Sequence, residues 1–364
     1  MKKIMSNRMD RGFYQYEKEF ENKALEVLHS GWYILGKEVE AFEKEFSSYI
    51  GTNGCVGVAC GLDALWIAFR LLGIGSGDEV IVPSNTYVAS VMGVTINGAT
   101  PVFVEPDEYY NIDADKIEEK ITERTKAVLV VHLYGQAADM GKITKLVHKY
   151  NLKLVEDCAQ SHGAAWNGQM TGSFGSIGCF SFYPSKNLGA FGDAGAMVMN
   201  DQALAEEGKI FRNYGSDRRY YNKVVGANSR LDEMQAGLLR VRLQHINELN
   251  KEKEQIARCY LEGITNEKII LPGIRKDCGH VWHQFVVRCS EQERFMKYLD
   301  DHGIGTLIHY PIPPHLQKAY SYLGYHEGDF PIAEQYAKEV VSLPIYYGMT
   351  EEEIAHVINV INVF

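Results

Sequence analysis

The chain carries no excess of basic charge: 37 Lys and Arg stand against 47 Asp and Glu, a formal net charge of −10 with both signs interspersed. Proteins that hold nucleic acid gather Lys and Arg into a patch or stripe, so nucleic acid is not an expected partner. A single nucleotide needs only a local basic pocket and stays open. Cysteine is sparse and unpatterned; the seven, Cys55, Cys60, Cys158, Cys179, Cys259, Cys278 and Cys289, form no Cys-x-x-Cys pair. An odd number of scattered thiols beside apolar neighbours argues against a disulfide framework or a zinc site, and for reduced cysteines in a cytosolic protein. No apolar run approaches the roughly 20 residues of a membrane span. The polar, charged start of the chain has no signal-peptide core. Repeats and low-complexity linkers are missing too. A soluble, cytoplasmic protein with no metal and no membrane attachment is expected.

What is present suits a globular enzyme, with 46% of residues apolar and 11% aromatic. At 364 residues the chain exceeds the usual single domain, which predicts one large domain and a smaller one. Helical patterns run over about 16–28 and 39–49. From Gly51 onward helices and strands alternate: helix 61–72, strand 79–83, helix 87–97, strand 101–104, helix 113–121, strand 127–132, helix 141–150 and strand 152–157. Short, β-branched, almost wholly apolar strands mean a sheet covered on both faces. That predicts a doubly wound α/β sheet of about seven strands, with strands 177–182 and 194–199 bracketing a lysine. Helix 202–212, a polar basic loop at 216–223 and a long helix over about 232–261 follow. The charged back half of that helix reads as a solvated face. A second unit from about Lys251 holds strand 281–288, helix 291–302, strand 306–310, a proline-rich turn, and helices near 331–341 and 351–360.

The lysine is Lys186, after the apolar run 177–182 and among Gly189, Gly192 and Gly195. Alone, it reads as an ordinary solvated side chain in a glycine-rich loop. An apolar approach, however, lowers the local dielectric and favours the neutral amine, the form that attacks a carbonyl and holds a Schiff base. Strand 152–157 ends in Asp157, at the sheet edge where α/β proteins gather functional groups. An acid there can be a metal ligand, a general base or the partner of a protonated pyridine nitrogen; its plain reading is a helix N-cap. Upstream, a short strand turns at Gly61 into an apolar helix, so that the backbone N–H groups of Gly61 and Leu62 would face an anion.

The motifs GWYILG (31–36), CGLDAL (60–65), PSNTYVAS (83–90), VEDCAQSHGA (155–164), SFYPSKNLGAFGDAGA (181–196), NSRLDEMQA (228–236) and HYPIPPHLQ (309–317) follow in that order. Together they resemble the DegT/DnrJ/EryC1/StrS family of nucleotide-sugar aminotransferases, which depend on pyridoxal 5′-phosphate (PLP), over nearly the whole chain. The resemblance implies fold type I, aspartate-aminotransferase-like. A large domain at 1–250 would hold a mostly parallel sheet, and 251–364 a small α/β domain, with an N-terminal segment free to pack on the small one. Lys186 is implied as the Schiff-base lysine and proton carrier, Asp157 as the partner of the pyridinium nitrogen, and Gln160 as a neighbour of the ring hydroxyl. Tyr87 would stack over the ring. Phosphate binding falls to Gly61, Leu62, Ser181 and Asn228. The family's asparagine reaches across from a second subunit, which implies a homodimer with shared active sites.

Tyr183, Arg219, His309, Tyr310 and His315 are the substrate-side candidates. Three prolines stiffen HYPIPPHLQ, so its two imidazoles can be presented to sugar hydroxyls or a carbonyl. The spacing of those histidines has no acid or cysteine beside it, which argues against a metal. Arg219, with Arg218 and Lys223, could meet a diphosphate, a solvated loop being the plain alternative. His162 reads as a packed, hydrogen-bonded histidine. The implied activity is transfer of an amino group from L-glutamate to C3 of a dTDP-3-keto-6-deoxyhexose, giving a dTDP-3-amino-3,6-dideoxyhexose for deoxyamino sugars of cell-surface polysaccharide. HYPIPPHLQ is what resembles the C-3 branch. The alternatives are amination at C4, a PLP-dependent sugar dehydratase, and a non-catalytic PLP-binding regulator. Known dehydratase relatives replace the lysine with histidine, so Lys186 argues against that class. Intact Lys186, Asp157 and phosphate residues argue against the regulator.

Overall fold

Seven strands form the central sheet of the computed structural model, which describes residues 3–364. They are β1 (Gly54–Val58), β2 (Glu79–Pro83), β3 (Thr100–Val104), β4 (Thr125–Val131), β5 (Lys153–Asp157), β6 (Ile177–Ser181) and β7 (Gly195–Met199). Their order is β1-β7-β6-β5-β4-β2-β3. From β6 to β3 every neighbouring pair is parallel. Strand β7 runs antiparallel to both of its neighbours. The doubly wound, mostly parallel expectation is met.

Alternation along each strand feeds two layers. Val80 and Val82 pack with Ala64, Ile67, Ala68 and Val91 of the helices Gly61–Leu71 and Val88–Thr95. Ile81, Val128 and Leu154 face the opposite side, against Met140, Ile143 and Val147 of helix Met140–Lys149. Helix Lys37–Ile50 and the front of helix Glu233–Gly263 cover the same sheet beside β6 and β7. There Phe46 meets Phe180 and Phe182 edge-on, with ring centroids 4.9 and 5.3 Å apart. Burying one such ring contributes about 1.5–3 kcal/mol.

Strand β8 (Phe285–Arg288) pairs antiparallel with β9 (Val340–Leu343), flanked by helices Gln292–Asp301, Pro331–Glu339 and Glu351–Val363. The N-terminal segment docks on this part: the Gly305 N–H donates to the Ile4 carbonyl at 2.8 Å, and Arg11 pairs with Glu353 at 2.6 Å. Helix Glu233–Gly263 runs through residue 250 without a break. Among the described residues, no helix is long and apolar enough to cross a membrane.

Four local expectations are corrected. Residues 113–121 form two 3₁₀ turns, Ala114–Lys116 and Glu118–Lys120, instead of an α-helix. The expected strand 306–310 shrinks to one bridge between Leu307 and Ser342. Pairing stops before Pro311 and Pro313, which have no N–H to give. The expected helix 331–341 ends at Glu339, because β-branched Val340 and Val341 open β9. Loop 216–223 folds as a small hairpin of Ser216–Arg218 with Tyr221–Asn222.

Candidate active site

The chain leaves β2 for β3 and then returns to build β4, β5 and β6 on the other side, so the strand order reverses between β2 and β4. In an open α/β sheet that reversal leaves a crevice beyond the carboxyl ends of the strands. Here it is a cavity of about 500 Å³, walled by Thr86, Tyr87 and Ser90 after β2, Leu133 after β4, Asp157 and Gln160 at β5, and Ser181, Tyr183 and Lys186 after β6.

Lys186 sits on a tight turn in which its N–H donates to the Tyr183 carbonyl at 2.8 Å. Gly189 closes that turn; a Cβ there would fall 2.3 Å from the Pro184 oxygen. Burial pulls the Lys186 ammonium down to about 8, with the charge of Asp157 opposing the shift in part. About a tenth of the amine is therefore neutral at pH 7, far more than for a solvated lysine.

Asp157 is buried. The Ser90 hydroxyl donates to its Oδ2 at 2.7 Å, Thr86 Oγ1 lies 2.7 Å behind Ser90, and the Ala159 N–H donates to Oδ1 at 3.1 Å. Burial raises the carboxyl, while these bonds and Lys186 pull it back down. No helix follows β5, so the plain N-cap reading is corrected: the Ala159 bond closes a local turn that aims the carboxylate at the cavity.

At the start of helix Gly61–Leu71, the Asp63 N–H donates to Cys60 Sγ at 3.4 Å. Among the described residues, neither the Gly61 nor the Leu62 amide donates to a protein acceptor. A Cβ at Gly61 would fall 2.5 Å from Ser181 Cβ, and one at Gly195 would fall 2.4 Å from the carbonyl carbon of Cys60. Backbone therefore meets backbone here, which keeps the two free amides beside Ser181.

Gln160 is clamped: its Oε1 accepts from the Tyr134 N–H at 2.6 Å, and its Nε2 donates to the Tyr310 hydroxyl at 3.0 Å. The Tyr87 and Tyr310 rings lie 5.1 Å apart at the cavity wall. Imidazole Nδ1 of His309 lies 2.7 Å from Ser342 Oγ, and burial drives its pKa to about 4.

Three of the residues named from sequence lie away from this cavity. His315 is 1% exposed, bonded to Glu334 at 3.1 Å and wedged edge-on against Phe330. It is a packing residue here, because the turn points it away from the wall that His309 joins. Arg219 stands over the Tyr220 ring on the exposed hairpin, and Asn228 is exposed beside its bridge to Asn213. His162 is packed as expected but not hydrogen-bonded: both ring nitrogens lack partners, and burial lowers it to about 3.

The sequence reading missed four groups. Ser90 and Thr86 stand inside PSNTYVAS, and pairing Asp157 with a nearby hydroxyl would have been the signal. His283 Nδ1 lies 3.3 Å from Asn187 Oδ1, and Lys253 Nζ reaches the same oxygen at 3.4 Å. Lys253 is 2% exposed, an exception on a helix half whose Lys251, Glu254, Arg258 and Glu262 are exposed as expected. His132, Glu156 and Cys158 bring metal-type donors together. Hydrogen bonds occupy the histidine and the glutamate: Glu156 accepts from His132 and from the amides of Gly172, Phe174 and Gly175, and His132 Nδ1 accepts from Ala138.

These groups suit PLP: unpaired amides for a phosphate, a buried carboxylate for a ring nitrogen, and a partly neutral amine for an aldehyde. Comparison with known proteins agrees. The model of the DegT/DnrJ/EryC1/StrS aminotransferase family matches residues 15–362. The chain is 55% identical over 349 residues to the dTDP-3-amino-3,6-dideoxy-alpha-D-galactopyranose transaminase of Aneurinibacillus thermoaerophilus, covering 96% of each. It is 50% identical over 321 residues to the dTDP-3-amino-3,4,6-trideoxy-alpha-D-glucose transaminase of Streptomyces venezuelae, covering 88% of this chain and 85% of that one. Among solved structures, S. venezuelae DesV in complex with a ketimine intermediate superposes with a TM-score of 0.98 at 44% identity, over 100% of this chain and 98% of that one.

Proposed function

Because the chain belongs to the DegT/DnrJ/EryC1/StrS aminotransferase family, we propose that it is a PLP-dependent transaminase carrying an amino group from L-glutamate to C3 of a dTDP-3-keto-6-deoxyhexose. The product is a dTDP-3-amino-3,6-dideoxyhexose. The observation that carries this reading is that Lys186, Asp157, Gly61 and Leu62 all open on one cavity at the sheet's carboxyl edge.

Bound there, PLP supplies an aldehyde that captures amines and a ring that accepts carbanion charge. The amides of Gly61 and Leu62 and the Ser181 hydroxyl hold the phosphate at the helix N-terminus. Asp157, fixed by Ser90 and Ala159, keeps a positive ring nitrogen beside it. Lys186 takes and returns protons at Nζ, which its lowered pKa permits near neutrality. Gln160 is immobilised between Tyr134 and Tyr310 and orients the ring's polar edge. His309 stays neutral and, with Tyr310 and Tyr183, offers hydrogen bonds to the sugar.

Regiochemistry follows HYPIPPHLQ and the relative named for a 3-amino-3,6-dideoxy sugar. The dimer is part of the same reading. Leu25, Leu28, Trp32, Tyr33 and Ile34 leave an apolar patch outside that a second copy would cover, and exposed Asn228 and Arg219 would serve the neighbour's site. The same reading divides the chain near residue 250 and places it in the cytoplasm. The test offers 3-keto and 4-keto dTDP-sugars separately, with glutamate and PLP, and identifies the product by NMR. A 3-amino sugar is expected. A 4-amino sugar would replace the C3 assignment, and a protein that gains no visible absorption from PLP would overturn the cofactor.

A further inference from the structure

A second cavity, of about 320 Å³, shares Ser185 and Lys186 as a wall with the first. Its floor holds Arg242 and Lys253 of helix Glu233–Gly263, about three turns apart and so on one side of that helix, with Tyr346 and Tyr347 beside them. Arg242 is 5% exposed and Lys253 2% exposed, and neither has a carboxylate partner among the described residues. Arg242 meets only the Gly189 carbonyl at 2.8 Å and the faces of Phe20 and Phe191. Lys253 meets Asn187 Oδ1 at 3.4 Å, the His283 carbonyl at 3.5 Å and the Tyr347 face. The neighbouring Glu252 is taken up by the Gly348 amide and Gln15. Tyr346 adds a buried hydroxyl with no hydrogen-bond partner. Arg8 and Asp10, paired at 2.6 Å in the more exposed part of the wall, balance each other's charge.

A buried guanidinium without a counter-charge is costly, and burial lowers the Lys253 amine beside it to about 7; an anion that restores that proton, beside an unfilled hydroxyl, is what the cavity's chemistry suits. We propose that this cavity binds the side-chain carboxylate of a dicarboxylic amino donor and of its 2-oxo product, with Arg242, Lys253 and Tyr346 as the donors. The proposal rests on the transaminase reading above. Its shared wall places the donor's amine next to Lys186. A carboxylate's two oxygens match a guanidinium and an ammonium, and a donor lacking the second carboxylate would leave both cations unpaired.

The test measures binding of glutarate, a dicarboxylate without an amine, and of butyrate to the holoenzyme by titration calorimetry. Glutarate should bind at least about tenfold tighter than butyrate. Arg242→Gln and Lys253→Met should each weaken glutarate about 10- to 100-fold, the equivalent of one charge-assisted hydrogen bond. Lys253→Arg should keep most of the affinity, and dTDP affinity should stay unchanged throughout. Both substitutions remove a buried group that has no carboxylate partner, and melting temperature checks the fold; if Arg242→Gln, which gives up the bond to the Gly189 carbonyl, fails to fold, Lys253→Met decides alone. Equal binding of glutarate and butyrate, or unchanged glutarate binding in the variants, overturns the site. An enzyme that takes amino groups from glutamate with those outcomes keeps the transaminase reading. One that takes them from no amino acid loses both.

Discussion

His309 and His315 stand in one proline-rich turn and do opposite work. The first lines the cavity, its Nδ1 on Ser342 Oγ; the second is sealed between Phe330 and Phe103 and bonded to Glu334. The carboxyl edge of the sheet behaves differently. Register places Val131 opposite Asp157 and Asp157 opposite Cys179, so groups that follow strand ends arrive together at the crevice. A sheet edge gathers side chains by repetition, whereas an irregular turn sorts them one at a time, by whatever packs against each.

The largest expected effects lie at the sheet edge. Lys186→Ala should abolish turnover, and Asp157→Asn should slow single-turnover amino transfer about 100- to 1,000-fold, the usual cost of one lost electrostatic contact. Melting temperature should hardly move in either variant. A slow variant that also melts early would make Asp157 a structural residue of the turn after β5 instead.

Within the turn the two histidines should separate cleanly. His309→Asn should lower kcat/KM for the sugar about tenfold with stability kept, the worth of roughly one hydrogen bond. His315→Asn should lose about 1–3 kcal/mol of stability by removing the ring packed between Phe330 and Phe103 and one of the hydrogen bonds to Glu334, with kcat/KM per folded molecule unchanged. Urea unfolding and steady-state kinetics on both variants decide this. A sugar-specific defect in His315→Asn would put that ring back in the pocket.

The most diffuse effect, spread over several side chains, is on acid stability. Burial lowers His309 to about 4 and His162 and His280 to about 3, from an ordinary value of 6.5. Below 6.5 the unfolded chain therefore binds more protons than the folded one, and stability falls with pH. Their contribution is complete above about pH 6.5 and drains away as pH drops toward 3 to 4. Thermal melts between pH 7 and 4 should show this decline, and His162→Phe should flatten it.

The parallel sheet was legible because β-branched apolar runs bounded by glycine and proline mark buried strands; strand 79–83 was placed to the residue. Lys186, Asp157 and Gly61 were legible for the same reason, since each follows a strand end. Arg242 and Lys253 were not. A charged helix reads as solvated, and nothing local tells that Tyr346, Tyr347 and the N-terminal segment close over it. Ile4 meeting Ile304, or Asn187 collecting His283 and Lys253, are contacts between stretches far apart in sequence, and short-range periodicity carries no trace of them.

Helix Glu233–Gly263, at 31 residues, spans about 46 Å and sets an angular phase for the molecule. At its first turn Glu233 accepts the amides of Gly36, Glu38 and Val39; near its last, the Tyr260 hydroxyl donates to the Pro344 carbonyl. Both ends are clamped, so the rod cannot spin to absorb an error. One residue inserted between Leu243 and Glu252 would turn everything beyond it by about 100° and swing Lys253 off Asn187 and Tyr347, whereas four would restore the heading to within about 40°. Chain length in this stretch is therefore constrained in steps of a helical turn, even where its individual side chains are free to vary.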